Sequence, residues 1–294
     1  MTRLKFDLAQ EAVSRPPWLT QHIDTGAFAR VERLLAGLKL HTVCQSASCP
    51  NIGECFGQGT ATFLILGSVC TRRCAFCAVP KGAPAAPDTA EPERIAKAVQ
   101  VLGLRHAVIT SVTRDDLADG GASQFAACIE RIRAVCPSVT VEVLTPDFAG
   151  NWRAAAQVLA ACPDVFNHNI ETVPRLYDKV RPSADYRRSL ALLRQAAAGG
   201  VGLVKSGVMV GLGETETEVL AVFADLAAAG VTAVTIGQYL RPSAAHLPVA
   251  EYIHPDKFAW YEQQARRAGF TAVAAGPLVR SSYHAAAMAG HEGK

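Results

Sequence analysis

Short apolar runs alternate along this chain with longer stretches in which apolar residues recur every three or four positions. The runs Ala61–Leu66, His106–Val112, Thr140–Leu144, Val165–Ile170, Leu203–Val210 and Val231–Gly237 read as strands. The stretches near 93–102, 121–136, 152–161, 186–198 and 215–229 read as helices. Strands that are apolar nearly throughout, each followed by a helix, predict a parallel sheet covered by helices. Six such units suit an open α/β fold, a partial (β/α)6 barrel, because a closed eight-unit barrel usually needs more chain. This reading divides the chain into an N-terminal extension (1–60), the barrel (61–240) and a C-terminal extension (241–294). A helix is predicted over Phe28–Leu40, from Phe28, Val31, Leu34, Leu35 and Leu38; another near 256–268 falls outside the repeat.

Composition narrows the function classes. With 294 residues, half of them apolar, the chain can bury a sizeable core. The net charge of +3 comes without any Lys/Arg run, so nucleic acid is not the expected partner; an acidic protein surface remains compatible. Met1 to Pro17 is charged and contains proline, unlike a signal peptide, and no apolar run of about 18 residues predicts a membrane span. Nine cysteines in such a chain point to a reducing, cytoplasmic compartment, where clustered thiols serve as ligands or catalysts.

Six of the nine form two groups. Cys70, Cys74 and Cys77 stand in a C-x3-C-x2-C triplet just past the first strand, at the end of the sheet where α/β sites gather. Three thiolates do not complete a four-ligand zinc site, but they can hold a [4Fe–4S] cluster with one iron open. That iron can chelate the amino and carboxylate groups of S-adenosylmethionine, which brings the sulfonium within reach of an electron. A zinc loop with a distant fourth ligand is the alternative. Cys44, Cys49 and Cys55 form a second triplet, C-x4-C-x5-C, in a loop with Pro50 and Gly53; the absence of apolar periodicity favours a second cluster over three core thiols. Cys128 and Cys136 share a helical stripe with Phe125, Ile129, Ile132 and Val135 and read as core; Cys162, before Pro163, reads as core too.

From about Lys39 to Ala287 the chain resembles the lipoyl synthases, a family of radical S-adenosylmethionine enzymes. The resemblance is carried in order by CQSASCPNIGECF, CTRRCAFC, TSVTRDDLADGGA, VFNHNIETVPRLY, KSGVMVGLGETE, GQYLRPSAAHLPV and RSSYHA. It implies a partial (β/α)6 barrel whose two extensions carry an auxiliary cluster site. The implied metal ligands are Cys70, Cys74 and Cys77 for the radical-generating [4Fe–4S] cluster, and Cys44, Cys49, Cys55 and one serine of RSSY for an auxiliary [4Fe–4S] cluster. Of Ser281 and Ser282, Ser281 is the favoured ligand. The resemblance further implies cleavage of S-adenosylmethionine to methionine and a 5′-deoxyadenosyl radical. That radical takes hydrogen from a protein-bound octanoyl chain, which receives sulfur from the auxiliary cluster at C6 and then C8.

For S-adenosylmethionine itself the resemblance implies contacts from Gly120 and Gly121 to the amino group, Asn169 and Glu171 to the ribose, Arg181 to the carboxylate and Gly211 near the adenine. Lys205 is a further candidate, while His168 reads as structural. Residues from Gln238 to Ser243 would line the acyl entrance. Expected partners are an octanoylated lipoyl-carrier domain (E2 subunits or H protein), an electron donor such as flavodoxin or ferredoxin, and an iron–sulfur carrier. The sequence departs from many relatives after Cys77, where Ala78, Val79, Pro80 and Lys81 replace an Asp- and His-containing stretch. Another radical sulfur-inserting enzyme, such as a biotin synthase, would share the first triplet but require neither the second nor RSSY.

Overall fold

The computed structural model describes residues 16–19, 32–46, 49, 51, 54–55, 60–283 and 285–290. Residues 28–31 of the predicted first helix lie outside them; 32–37 are helical, with Leu35 and Leu40 buried. Eight strands form one sheet in chain order: β1 (His41–Thr42), β2 (Thr60–Ile65), β3 (His106–Ser111), β4 (Thr140–Leu144), β5 (Val165–Asn167), β6 (Leu203–Val210), β7 (Ala233–Gln238) and β8 (Ala272–Gly276). β1 is antiparallel to β2, and every pairing from β2 to β8 is parallel. β8 does not pair back onto β1, so the barrel stays open.

Each predicted strand and helix of the repeat forms, with bounds shifted by a few residues. One expectation is corrected. The helix Pro255–Arg267 and β8 continue the alternation rather than lying outside it, with Ala233 opposite Ala272 and Gly237 opposite Gly276. β8 reads A-V-A-A-G, and alanine and glycine carry little strand signal.

The other departure is at β5, which ends at Asn167 instead of reaching Ile170. The Ser206 hydroxyl explains the early end. It donates to His168 O at 2.9 Å and accepts from the Ile170 N–H at 3.1 Å, taking the place of ladder bonds. Pairing resumes at Glu171, whose N–H donates to Gly207 O at 2.9 Å and whose carbonyl accepts from Met209 N–H at 2.8 Å. The backbone between bows out, and Glu171 itself takes a left-handed conformation, φ 66°. Non-glycine residues rarely hold that conformation unless their surroundings impose it.

The two faces of the sheet differ in chemistry. Ala107, Ile109, Val141, Val143, Val204, Val208, Val234 and Ile236 pack with the helices in one core. At alternate positions His106, Glu142, Asn167, Lys205 and Thr235 are equally buried but polar, so the period-2 alternation puts them on the concave inside. There Lys205 Nζ lies 3.1 Å from Glu142 Oε1, Asn167 Nδ2 donates to the same oxygen at 3.0 Å, and His106 Nε2 lies 3.2 Å from Oε2. Burial would raise the Glu142 carboxyl, but the Lys205 charge and the hydrogen bonds bring it down to about 2. Lys205→Met leaves that carboxylate buried without its cation and is expected to cost about 3–5 kcal/mol in the urea unfolding of the apoprotein. Adding Glu142→Gln should return most of the loss; an unchanged midpoint in the single variant would refute the assignment.

Candidate active site

The loop after β2 carries Cys70, Cys74 and Cys77 with little regular structure, so its shape is set by what it touches. Its ends are clamped by backbone bonds: Cys70 N–H donates to Pro80 O at 2.8 Å and Gly82 N–H to Cys70 O at 3.1 Å. The departing stretch Ala78–Lys81 thus closes the loop, and Lys81 Nζ also reaches Cys77 O. Thr71 N–H and Oγ1 both donate to Thr113 O, at 3.1 and 2.9 Å, and Thr113 N–H points at Cys70 Sγ, 3.3 Å away. On the far side Ala75 N–H donates to Val180 O at 2.9 Å, while Leu247 N–H donates to Ala75 O at 3.2 Å. His246 Nε2 lies 3.1 Å from Cys77 O, and its Nδ1 lies 2.8 Å from Ser243 Oγ. A carbonyl only accepts, so Nε2 carries the proton and Nδ1 accepts from the serine.

The strongest tether is Arg72, which is 5% exposed. Its Nε and Nη2 donate to both oxygens of Asp115, at 2.6 and 2.8 Å, and Nη2 also meets Asp147 Oδ1 at 2.6 Å. Arg188 Nε holds the other Asp147 oxygen at 2.7 Å. Against the effect of burial, Arg72, His168 and Arg188 keep Asp147 well below the usual carboxylate range. Neither Arg72 nor His246 was singled out from sequence. CTRRCAFC gives two arginines no distinguishing signal, and His246 is 169 residues from Cys77.

The bowed segment after β5 completes this side of the site. Asn169 Nδ2 donates to Glu171 Oε1 at 3.0 Å and to Ser281 Oγ at 2.6 Å, leaving its buried Oδ1 without a partner. Arg181 is buried, and its Nη1 donates to Asn169 O, Ile170 O and Tyr177 OH at 2.9, 3.1 and 3.2 Å; its buried Nε–H has no partner. Burial raises the Cys74 thiol while Arg181 pulls it down; Cys77, Glu171 and Cys70 raise it further. Burial likewise raises Cys77 and Glu171. These shared effects bring the triplet, Glu171 and Arg181 into one electrostatic neighbourhood.

The remaining candidates fall differently. Gly120 (φ 59°) and Gly121 (φ 89°) open the helix Ala122–Val135, and Asp119 accepts the Gly121 N–H at 2.9 Å; a Cβ on Gly121 would lie 2.2 Å from Leu66 Cδ1. Gly211 (φ 93°) ends β6, where a Cβ would lie 2.2 Å from Gln238 Nε2. Gln238, expected at the acyl entrance, donates to Val210 O, Tyr239 O and Glu251 O. Lys205 is engaged by Glu142 in the barrel interior. Cys128 is core, but Cys162 is exposed, against expectation, because it turns left-handed (φ 55°) past the helix Trp152–Ala160.

The second triplet is drawn together and met by the C-terminal segment. Cys49 N–H donates to Cys44 O at 2.9 Å, and Cys55 N–H to Asn51 O at 3.0 Å. Burial, then Cys49 and Glu54, push the Cys55 thiol up to about 12; burial, then Cys49 and Cys55, raise Cys44. Buried thiols that disfavour one another's ionisation fit a cationic iron centre, which takes thiolates. Among the described residues no three His, Cys, Asp or Glu side chains converge as a single metal ion would require. A cubane binds each thiolate through a different iron and needs no such convergence. The RSSY segment docks here: Asn51 Nδ2 donates to Leu278 O at 2.6 Å, Tyr283 OH to the Glu54 carboxylate at 3.2 Å, and the Arg280 charge lowers Cys49 against its burial. Val279 O lies so close over β7 that a Cβ on Gly237 would sit 2.2 Å from it.

Arg72→Lys keeps the charge but cannot span both carboxylates, and about 2 kcal/mol of stability is expected to go in chemical denaturation. His168 gives a pH signature. Burial, then Arg181, depress it to about 4, and the neutral ring donates from Nδ1 to Thr145 O at 2.8 Å and accepts at Nε2 from Ser189 Oγ at 3.0 Å. The unfolded chain takes up this proton near pH 6.5 and the folded chain only near 4, so stability present above 6.5 is lost as pH falls. The apoprotein should lose about 2 kcal/mol between pH 6.5 and 4.5 in urea titrations, before its carboxylates contribute. A flat profile there would contradict the neutral histidine.

A family profile described as the Radical SAM superfamily matches residues 64–226. A lipoyl synthase of Caldanaerobacter subterraneus subsp. tengcongensis is 57% identical over 274 residues, covering 93% of this chain and 96% of that protein. A lipoyl synthase of Nitrosomonas eutropha is 53% identical over 287 residues, covering 96% and 91%. Among solved structures, the FeFe-hydrogenase maturase HydG of Carboxydothermus hydrogenoformans superposes with a TM-score of 0.58 at 16% identity, covering 84% of this chain and 64% of that one. A methylornithine synthase gives 0.54 at 12% identity, with 87% and 80% covered. At such identities the structural likeness concerns the fold alone. Identity above one half over nearly the full length of both chains is decisive, and the chain belongs to the lipoyl synthase family of the radical S-adenosylmethionine superfamily.

Proposed function

We propose that this chain inserts two sulfur atoms, at C6 and C8, into a protein-bound octanoyl-lysine. The observation that carries the reading is the docking of the Ser281 segment onto the Cys44–Cys49–Cys55 loop, with Ser281 bonded to the Asn169 beside Glu171 and the first triplet. One sulfur-bearing site thus borders one radical-forming site. When bound, the cluster of the first triplet supplies the electron that splits S-adenosylmethionine, and the auxiliary cluster supplies the sulfur.

In this reading Cys70, Cys74 and Cys77 hold the first cluster, and Cys44, Cys49, Cys55 and Ser281 the second. Three features support the S-adenosylmethionine contacts. The unpartnered Arg181 Nε–H is suited to the methionine carboxylate, the unpartnered Asn169 Oδ1 and the Glu171 carboxylate to ribose hydroxyls, and the Gly120–Gly121 turn to close backbone approach. Gly211 shapes the backbone edge near the adenine, while Lys205 serves the barrel interior. The substrate is a lipoyl-carrier domain, E2 or H protein; flavodoxin or ferredoxin supplies electrons, and an iron–sulfur carrier rebuilds the auxiliary site. A reducing, cytoplasmic setting suits these thiols. Among the described residues no helix is long and apolar enough to cross a membrane.

The test is turnover of an octanoyl-lysine peptide with S-adenosylmethionine and reductant, read by mass. The expected product carries two sulfurs, with two 5′-deoxyadenosines per lipoyl group. Cys74→Ala should abolish 5′-deoxyadenosine formation, whereas Cys49→Ala should mainly abolish sulfur transfer. A fully reconstituted enzyme that inserted no sulfur would overturn the proposal.

A further inference from the structure

Asn169 occupies an unusual position between the two triplets. Its amide nitrogen is shared between Glu171 Oε1 at 3.0 Å, on the side of the first triplet, and Ser281 Oγ at 2.6 Å, on the side of the second. The two bonded residues are 112 positions apart in the chain. Three features fix the contact. The Ser206 hydroxyl bows the backbone after β5. Gly207 leaves room for the amide, since a Cβ there would lie 2.7 Å from Asn169 Oδ1 and 2.8 Å from Thr235 Oγ1. Gly237 admits Val279 O against β7, which sets the height at which Ser281 follows. Asn169 is 8% exposed, so water competes poorly for the bond.

We propose that Asn169 is a positioning residue for the auxiliary site: its carboxamide orients the Ser281 oxygen that serves as the oxygen ligand. The proposal rests on the assignment of Ser281 as that ligand. A serine oxygen bound to iron keeps lone pairs that accept a hydrogen bond, and the Asn169 N–H is aimed at them. Outer partners of this kind fix ligand orientation, and their loss typically weakens metal binding by about 10–100-fold. The same amide ties this ligand to Glu171, so the wall of the S-adenosylmethionine pocket and the oxygen corner of the auxiliary site share one side chain.

The experiment uses the full-length chain with Cys70, Cys74 and Cys77 replaced by alanine, so that reconstituted iron resides in the auxiliary site. Iron release to a chelator is timed, and ⁵⁷Fe Mössbauer spectra report the oxygen-ligated iron. Ser281→Ala is expected to lose one iron faster and to remove the distinct iron signal. Asn169→Leu should lose it about tenfold faster than the parent, with a broadened or shifted signal. The double variant should be no faster than Ser281→Ala alone, because the asparagine acts through the serine. If Ser281→Ala changes neither rate nor spectrum, the ligand assignment falls and the proposal with it. If Ser281→Ala acts but Asn169→Leu matches or is slower than the parent, the positioning role alone is overturned. A double variant that sheds iron faster than Ser281→Ala would show Asn169 acting on the fold, and would overturn it likewise.

Discussion

Three thiols in a loop with little regular structure can be held at fixed separations only from outside, and Arg72 does most of that holding. Its guanidinium joins the cysteine loop to Asp115, beyond β3, and to Asp147, beyond β4. A planar fork with several donors can satisfy two carboxylates at once, which an ammonium cannot. Asp147 is fully buried and takes Arg188 on its other oxygen, so removing the Arg72 guanidinium would leave one buried carboxylate oxygen without its cationic partner. The loop's other bonds, to Thr113, Val180, Pro80, Leu247, His246 and Lys81, are each modest and depend on the chain already being near those partners.

The concave face of the sheet extends the same economy of charge. Helices cover the outside with apolar residues, and the inside carries Glu142 with Lys205, His106 and Asn167 gathered on its carboxylate. Nearer the carboxyl ends, the Ser206 hydroxyl interrupts the pairing of β5 with β6 between His168 and Ile170, and pairing resumes only at Glu171. The interruption brings Asn169 and Glu171 into contact beside the cysteine loop, and it places Asn169 where the C-terminal segment can reach it. In this member of the lipoyl synthase family, one serine inside a strand therefore shapes the segment from which Asn169 bonds both Glu171 and Ser281.

The C-terminal segment is held by backbone more than by side chains. Val279 O packs over Gly237, Asn51 grips Leu278 O, and Tyr283 reaches Glu54. Two of these contacts act through the segment's own carbonyls, which limits the side-chain entropy lost on docking.

How much of this was legible follows from the range of each interaction. The strand and helix order could be read because apolar periodicity is local, and both triplets could be read because metal ligation fixes spacing within a few residues. β8 escaped notice because an alanine- and glycine-rich strand has almost no local preference. Cys162 reads as core but is turned to the surface by helix-end geometry, and the Lys205 ammonium is held by a carboxylate 63 residues away that no local pattern announces. By itself the sequence determined the alternating architecture, the two groups of thiols and the chemistry they can support. Only the tertiary structure decided that Arg72 anchors the loop, that Asn169 meets Ser281, and that the C-terminal segment reaches Asn51 and Glu54. Those contacts join residues far apart in the chain, and their geometry exists only once the sheet has formed and curved.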